Sequence, residues 1–445
     1  MNINEISQKQ SKLMAQAYEY IRKNPETAYV EYKTDAYMKE EFKKLGYIVE
    51  PFDKITGFTA TFDTGREGKT LGLFAELDSV VNPAHPECDK ETGAVHACGH
   101  DFQCASLLGV ASVLKNQKID GLSGKIKFIV VPAEEGFNID FKRELIKKGV
   151  IRYPSGKQEL ISRGVLDDVD IGYMNHISCR EFGVYLRLGA IGLIRKSVTF
   201  LGKSAHAGAN PSDGINALYS ANLALSAINS LRETFREEDY IRVHPIITKG
   251  GDIVNAVPRE VKLESYVRGA NFEAIKKTND KVNRAIAGAA LSMGANAKVV
   301  DIPGSMPLLS SKPLLLATEK VAKELLGEER THNTGVWSTG STDMGDISEI
   351  MPAIMCSIGG ATGSLHGEDY RLPNYADVCV QSCALQVGLI IELLKDDCKI
   401  ANEIINTTPV AFKSKEEYLN FLDSFFMEKE LVNYKSDTSF EINIK

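Results

Sequence analysis

Nine consecutive residues, His96-Ala97-Cys98-Gly99-His100-Asp101-Phe102-Gln103-Cys104, gather two imidazoles, two thiols and a carboxylate. Cys98 and His100 stand two apart with a glycine between them. In an extended or tightly turned segment, residues i and i+2 point the same way. Both side chains can then face one ion, and zinc and its neighbours in the transition series accept sulfur and nitrogen together. The apolar run from Ala105 to Leu114 favours a helix, so the pair is expected on the loop that opens it. A buried turn with incidental His and Cys is the competing reading of this stretch alone.

A second acidic centre is Glu134-Glu135, within Pro132-Ala133-Glu134-Glu135-Gly136. Adjacent carboxylates at a strand end point in different directions, so one can hold a metal while the other faces substrate. Beside a dication, a carboxylate can take a proton from water, which is general-base work. An exposed acidic turn is the plain alternative. His176 at a strand end and His366 in a glycine-containing loop are the other ligand candidates. Asp78, in Glu76-Leu77-Asp78, suits the task of orienting a ligand histidine. His85, His244 and His332 sit in undistinguished settings and read as structural or surface residues. His206, Asn255 and Arg268 supply donors suited to a tetrahedral oxyanion or a carboxylate rather than to a metal. For these three, ordinary loop and strand-end polarity remains the competing reading.

The elements that must position these residues follow from periodicity. Residues 7–46 read as two helices broken near Asn24-Pro25-Glu26, and 57–63 alternates as a strand does. Thr70–Leu77 and Lys125–Val131 are continuous apolar strands, as in a sheet covered on both faces, and each ends in acid. A helix over 104–117 and a strand from Val169 to Met174 complete the pattern of a largely parallel sheet. Carboxyl ends of such strands are where α/β sheets place their sites. Near Gly189 the order changes to β-α-β-β-α-β, the ferredoxin-like pattern, over roughly 190–304. Helix–strand alternation resumes at 313–326, 353–358 and 376–395, with a further helix expected at 415–427. The fold class is therefore α/β: a mainly parallel-sheet catalytic domain from 1–189 and 304–445, with an inserted α+β domain at 190–303.

The 445 residues carry 43% hydrophobic and 25% charged residues, enough to bury a sizeable core. A net charge of −7 with no basic stripe argues against nucleic acid as a partner. The N-terminus lacks signal-peptide features and no run of about twenty apolar residues suggests a membrane span, so a cytoplasmic protein is expected. The eight scattered cysteines read as free thiols.

Taken together, HACGHD at 96–101, PAEEG at 132–136, Asn175-His176, Ser204 to Gly208, Asn255 to Pro258, Arg268-Gly269 and Leu365-His366 resemble the metal-dependent amidohydrolases of the aminoacylase/carboxypeptidase clan. The resemblance is nearest to the branch of indole-acetyl-amino-acid, hippurate and aminobenzoyl-glutamate hydrolases, A-subunit-like in Ala205–Leu218. It runs from Asn24 to about residue 395. It implies Cys98, His100, Glu135, His176 and His366 as ligands of one or two divalent ions, manganese or zinc. It implies Glu134 as general base, Asp78 as the orienting carboxylate, and Asn255 and Arg268 as substrate contacts, Arg268 for a carboxylate. The inserted domain becomes a lid and the seat of a homodimer, or of pairing with a paralogous subunit, with His206 reaching the partner's site. The reaction implied is hydrolysis of small N-acyl amino acids. A carboxypeptidase or dipeptidase on the same site, a non-catalytic metal or ligand binder, and a Cys98-nucleophile hydrolase are the alternatives. Three departures stand out: Gln103 where the family has histidine, Glu76 where it has aspartate, and an altered segment at 137–160.

Overall fold

The computed structural model describes residues 2–136, 138–436 and 439–444. The chain forms two compact units, one of Met1–Gly189, Leu308–Ser338 and Asp343–Lys415, the other of Ala190–Pro307, Thr339–Thr342 and Glu416–Lys445.

The first unit is built on an eight-stranded sheet. Its spatial order is Val49–Pro51, Phe58–Asp63, Lys125–Val131, Thr70–Glu76, Ile171–Ser178, Ala353–Gly359, Val184–Leu186, Thr331–Asn333. The four central strands are mutually parallel, and antiparallel strands flank them. Thr70–Glu76 is buried at every position, which is why its sequence is continuously apolar rather than alternating. Helix His100–Asn116 packs on this sheet with nearly every residue buried. Helix Tyr375–Leu394 is long and apolar enough to cross a membrane, yet 78% of its apolar window is buried inside the protein, as befits a core helix.

The second unit has a six-stranded antiparallel sheet. Glu260–Gly269 lies between Gly192–Leu201 and the short strands Arg242–Val243 and Ile246–Lys249; Asn296–Pro303 follows on the other side of Gly192–Leu201. Helices Ala217–Ser230 and Phe272–Ser292 cover one face. The segment expected as one strand over 241–248 is interrupted at His244-Pro245, where proline cannot donate to the ladder.

The tail differs from the division expected from sequence. Residues 416–445 do not continue the first unit. Met427–Glu430 pairs antiparallel with Asn296–Pro303 and extends the second sheet. Phe421, Phe425, Leu431 and Val432 join that unit's apolar core. The helix expected to reach residue 427 stops at Asp423, and strand begins at Met427. Pairing along an open sheet edge outweighs the weak local helical pattern here.

Candidate active site

The Cys98/His100 loop is tighter than the sequence suggests. His100 is itself the first helical residue, and Gly99 before it has a φ of 90°. A side chain at Gly99 would place its Cβ 2.2 Å from Ile177 Cγ2, so both the backbone conformation and the space demand glycine. The turn thereby delivers Cys98 and His100 beside the end of strand Ile171–Ser178, which carries His176.

Cys98 is the centre of the cluster. Its Sγ lies 3.5 Å from His176 Nε2 and 3.3 Å from His366 Nε2. One donor set is Cys98, His100 and His176; a second is Cys98, Glu135 and His366. Within each set the donor atoms fall within 4.8 Å of one another. A third group, Glu76, His100 and Glu134, adjoins them. The thiol thus belongs to two triads at once.

The backbone and neighbouring carboxyls aim these donors. His176 Nδ1 bonds the carbonyl of Ile177 at 2.8 Å, leaving Nε2 toward Cys98. His100 Nδ1 bonds the Asp78 carbonyl at 2.7 Å, and Asp78 Oδ2 accepts from the Glu135 amide at 2.8 Å. Asp78 therefore touches one ligand candidate through its backbone and another through its side chain, the orienting duty such sites need. His366 is the exposed member, with φ of 64°; its amide donates to the Ala97 carbonyl, and its carbonyl accepts from Asn82. Ala133, at φ 55°, turns the chain into Glu134, and its amide is held by Glu31 Oε1 at 2.9 Å.

Electrostatics mark where positive charge belongs. Burial pulls the His366 imidazole down, but the Cys98 thiol and Glu135 push it up to about 11. Burial likewise opposes charge on His100 and His176, and anionic neighbours more than restore it. Burial and Glu135 raise the Cys98 thiol, yet the imidazoles of His100 and His176 bring it down to about 6. Glu134 is pushed well above the usual carboxylate range by burial and by Glu76, Glu135 and Asp343. Buried His100 Nε2, Asp78 Oδ1 and Glu135 Oε1 lie 3.1 Å from Glu76 Oε2, 3.3 Å from His100 Nδ1 and 3.4 Å from His366 Nε2, without a well-aligned hydrogen bond among the described residues. Buried donors crowded together without aligned hydrogen bonds, arranged as a thiol, imidazoles and a carboxylate, fit a divalent transition ion in each triad.

Beneath the cluster lies a network that sequence reasoning did not assign. Lys157 Nζ is 2.5 Å from both Glu76 Oε1 and Asp343 Oδ1, and all three side chains are at most 1% exposed. Ser155 Oγ and the Lys157 amide also donate to Asp343 Oδ2. Gln103 accepts from the Glu76 amide and donates to Glu76 Oε2, each at 2.9 Å. Burial would raise the Glu76 carboxyl, but Lys157, His100 and His176 carry it down to about 2. The two sequence departures, Glu76 and Gln103, are thus partners. Lys157 comes from the altered 137–160 segment, where Gly156 lets a short helix begin against the end of strand Lys125–Val131: a Cβ there would sit 1.7 Å from the Pro132 carbonyl oxygen.

His206, Asn255 and Arg268 lie in the second unit. His206 bridges to Ala256, and its Nδ1 accepts from the amides of Gly208 and Ala209, which shapes the loop. The Ala207 amide donates to the Asn255 carbonyl, so these two loops form one structure. Arg268 stands over the Tyr266 ring at 5.0 Å.

Residues 72–391 match the model of the peptidase family M20/M25/M40. The chain is 32% identical over 254 residues to one of the subunits of p-aminobenzoyl-glutamate hydrolase from Escherichia coli K12, a stretch that is 54% of this chain and 53% of that protein. It is 31% identical over 292 residues to N-acetyl-L-cysteine deacetylase of Bacillus subtilis, covering 63% and 65%. The chain spans about half to two thirds of the length of these curated relatives. A solved Bacillus subtilis dinuclear metal binding peptidase of the M20 family shares the fold, with a TM-score of 0.65 at 20% identity over 86% of this chain and 98% of that one.

Proposed function

The chain belongs to the peptidase family M20/M25/M40, and on that footing we propose that it is a metal-dependent amidohydrolase that cleaves small N-acyl or N-aroyl amino acids into a carboxylic acid and an amino acid. The observation that carries this reading is the thiol of Cys98 shared by two donor triads, with Glu134 beside them. Cys98, His100 and His176 would hold one divalent ion, and Cys98, Glu135 and His366 a second; manganese and zinc both suit these donors. Such ions, when bound, supply Lewis acidity that makes water more acidic and the amide carbonyl more electrophilic.

The remaining work falls to the chain. Glu134 takes a proton from the attacking water and returns it to the departing amine nitrogen, so one carboxylate serves as base and then as acid. Asp78 holds His100 and Glu135 in place. His206, contributed by a second copy of the chain, donates to the oxyanion, and Asn255 and Arg268 bind the amino-acid end. Aminobenzoyl-glutamate, the substrate in the name of one relative, and hippurate are the first amides to assay.

Glu134→Gln tests the assignment of the base. It should lower kcat by about a thousandfold, within the usual worth of a general base, while metal content stays as in the parent protein. Near-full turnover with metal retained would contradict it.

A further inference from the structure

Glu31 is the N-cap residue of helix Tyr32–Lys44, yet its carboxyl makes no bond to the first turn of that helix. The side chain turns inward instead and is fully buried. Burial, and then the charge of Asp78, raises this carboxyl to about 8, so it is kept there against a desolvation cost. Its two oxygens have definite partners. Oε1 accepts from two backbone amides, those of Tyr29 and Ala133, each at 2.9 Å. Oε2 lies against the Thr56 hydroxyl.

The two amides belong to residues with the same peculiarity. Tyr29 has a φ of 62° and Ala133 a φ of 55°, the left-handed region that residues with a Cβ seldom enter. One carboxyl oxygen thus fastens two strained backbone positions that are far apart in sequence. Ala133 is the one that matters for chemistry, because it turns the end of strand Lys125–Val131 into Glu134 and Glu135. Its carbonyl accepts from the Gly156 amide at 3.1 Å. Beyond it, the Glu135 amide donates to Asp78 Oδ2, and the Glu135 carbonyl accepts from Lys142 Nζ at 2.6 Å. Of these four ties, only the one from Glu31 holds the strained residue through a side chain. Without it the Ala133 amide is a buried donor with no acceptor, and the turn is free to relax toward an ordinary φ. That relaxation rotates the peptide from which Glu134 and Glu135 depart, so both carboxylates move.

We propose that Glu31 is a positioning residue of this site: it locks the left-handed turn at Ala133 and so fixes where Glu134 and Glu135 present their carboxylates. The kinetic part of the test rests on the amidohydrolase reading above; the metal-binding part does not. The parent protein is compared with Glu31→Ala, Glu31→Gln, and Glu31→Ala combined with Ala133→Gly. The readouts are kcat and KM on hippurate and aminobenzoyl-glutamate at saturating metal, zinc affinity in competition with a chelator, and melting temperature. Glu31→Ala should lose about 10–100-fold in kcat with KM little changed, and about tenfold or more in zinc affinity, the usual effect of removing a group that orients ligands. Glu31→Gln keeps an oxygen for both amides and a donor for Thr56, so it should retain most of both. Glycine enters the left-handed region freely, so adding Ala133→Gly should restore most of what Glu31→Ala loses. Should Glu31→Ala fail to fold, Glu31→Met fills the space without accepting a bond and takes its place. A variant with a lower melting temperature but unchanged kcat and zinc affinity, or a loss that Ala133→Gly does not relieve, would overturn the proposal. If the parent cleaves neither amide, the amidohydrolase reading fails instead, and zinc affinity across the same variants decides the role of Glu31.

Discussion

Lys157 in the first unit and Lys196 in the second are both buried against carboxylate, and the two behave in opposite ways. Lys157 lies under the His/Cys cluster, and although burial disfavours its charge, Asp343, Glu76 and Glu134 raise its proton affinity. Lys196 bonds Asp301 and Asn283, and there burial wins, leaving it below the usual lysine range. The difference is one of local stoichiometry. Asp301 is already served by the amide of Asn279, at 2.6 Å, so one carboxylate is divided among several donors. Around Lys157 several carboxylates compete for one ammonium. The first unit therefore carries an excess of buried negative charge at the strand ends, and cations must answer it. The second unit is balanced around Lys196.

This contrast can be broken by substitution. Lys157→Met should produce the largest loss of stability, about 3–5 kcal/mol, because it leaves Asp343 buried without its cation and Glu76 with only the His100 imidazole beside it. Urea unfolding would measure it. Lys196→Met should cost less, about 1–3 kcal/mol, since Asn279 and Asn283 still serve Asp301. Equal losses would erase the distinction between the units.

A smaller effect concerns Glu349, away from the cluster. Burial, reinforced by Asp346, raises its carboxyl to about 8 from an ordinary value of 4.5. A carboxyl raised on folding stabilises the fold fully below its unfolded value, and that contribution is lost as pH rises through the folded one. Stability should accordingly decline between about pH 5 and pH 8. Glu349→Gln should flatten that decline and gain about 1–2 kcal/mol near pH 8. Unchanged pH dependence of the melting temperature in the variant would show that other groups set it.

Much of the cluster was legible because ligand chemistry restricts residue type. Cys98, His100, Glu135, His176 and His366 could be named from motifs, and the structure brings them together. The parallel sheet was legible from its unbroken apolar strands. Lys157 and Asp343 were not, because a buried ion pair leaves no periodic trace and its members are 186 residues apart. The only local signal was indirect: Glu76 and Gln103 depart from the family pattern together, and a paired change implies a shared partner. The tail was misassigned for a related reason. Whether Met427–Glu430 belongs to one sheet or another depends on which edge is open, and that is a property of the folded chain.

The central claim is that one thiol serves two metal positions. The most direct test is metal content after reconstitution with manganese or zinc, in the parent protein and in Cys98→Ala. The parent should retain two ions per chain at saturation, and the variant should lose affinity for both together. A parent that saturates at a single ion, or a variant that still binds two as tightly, would contradict the shared site.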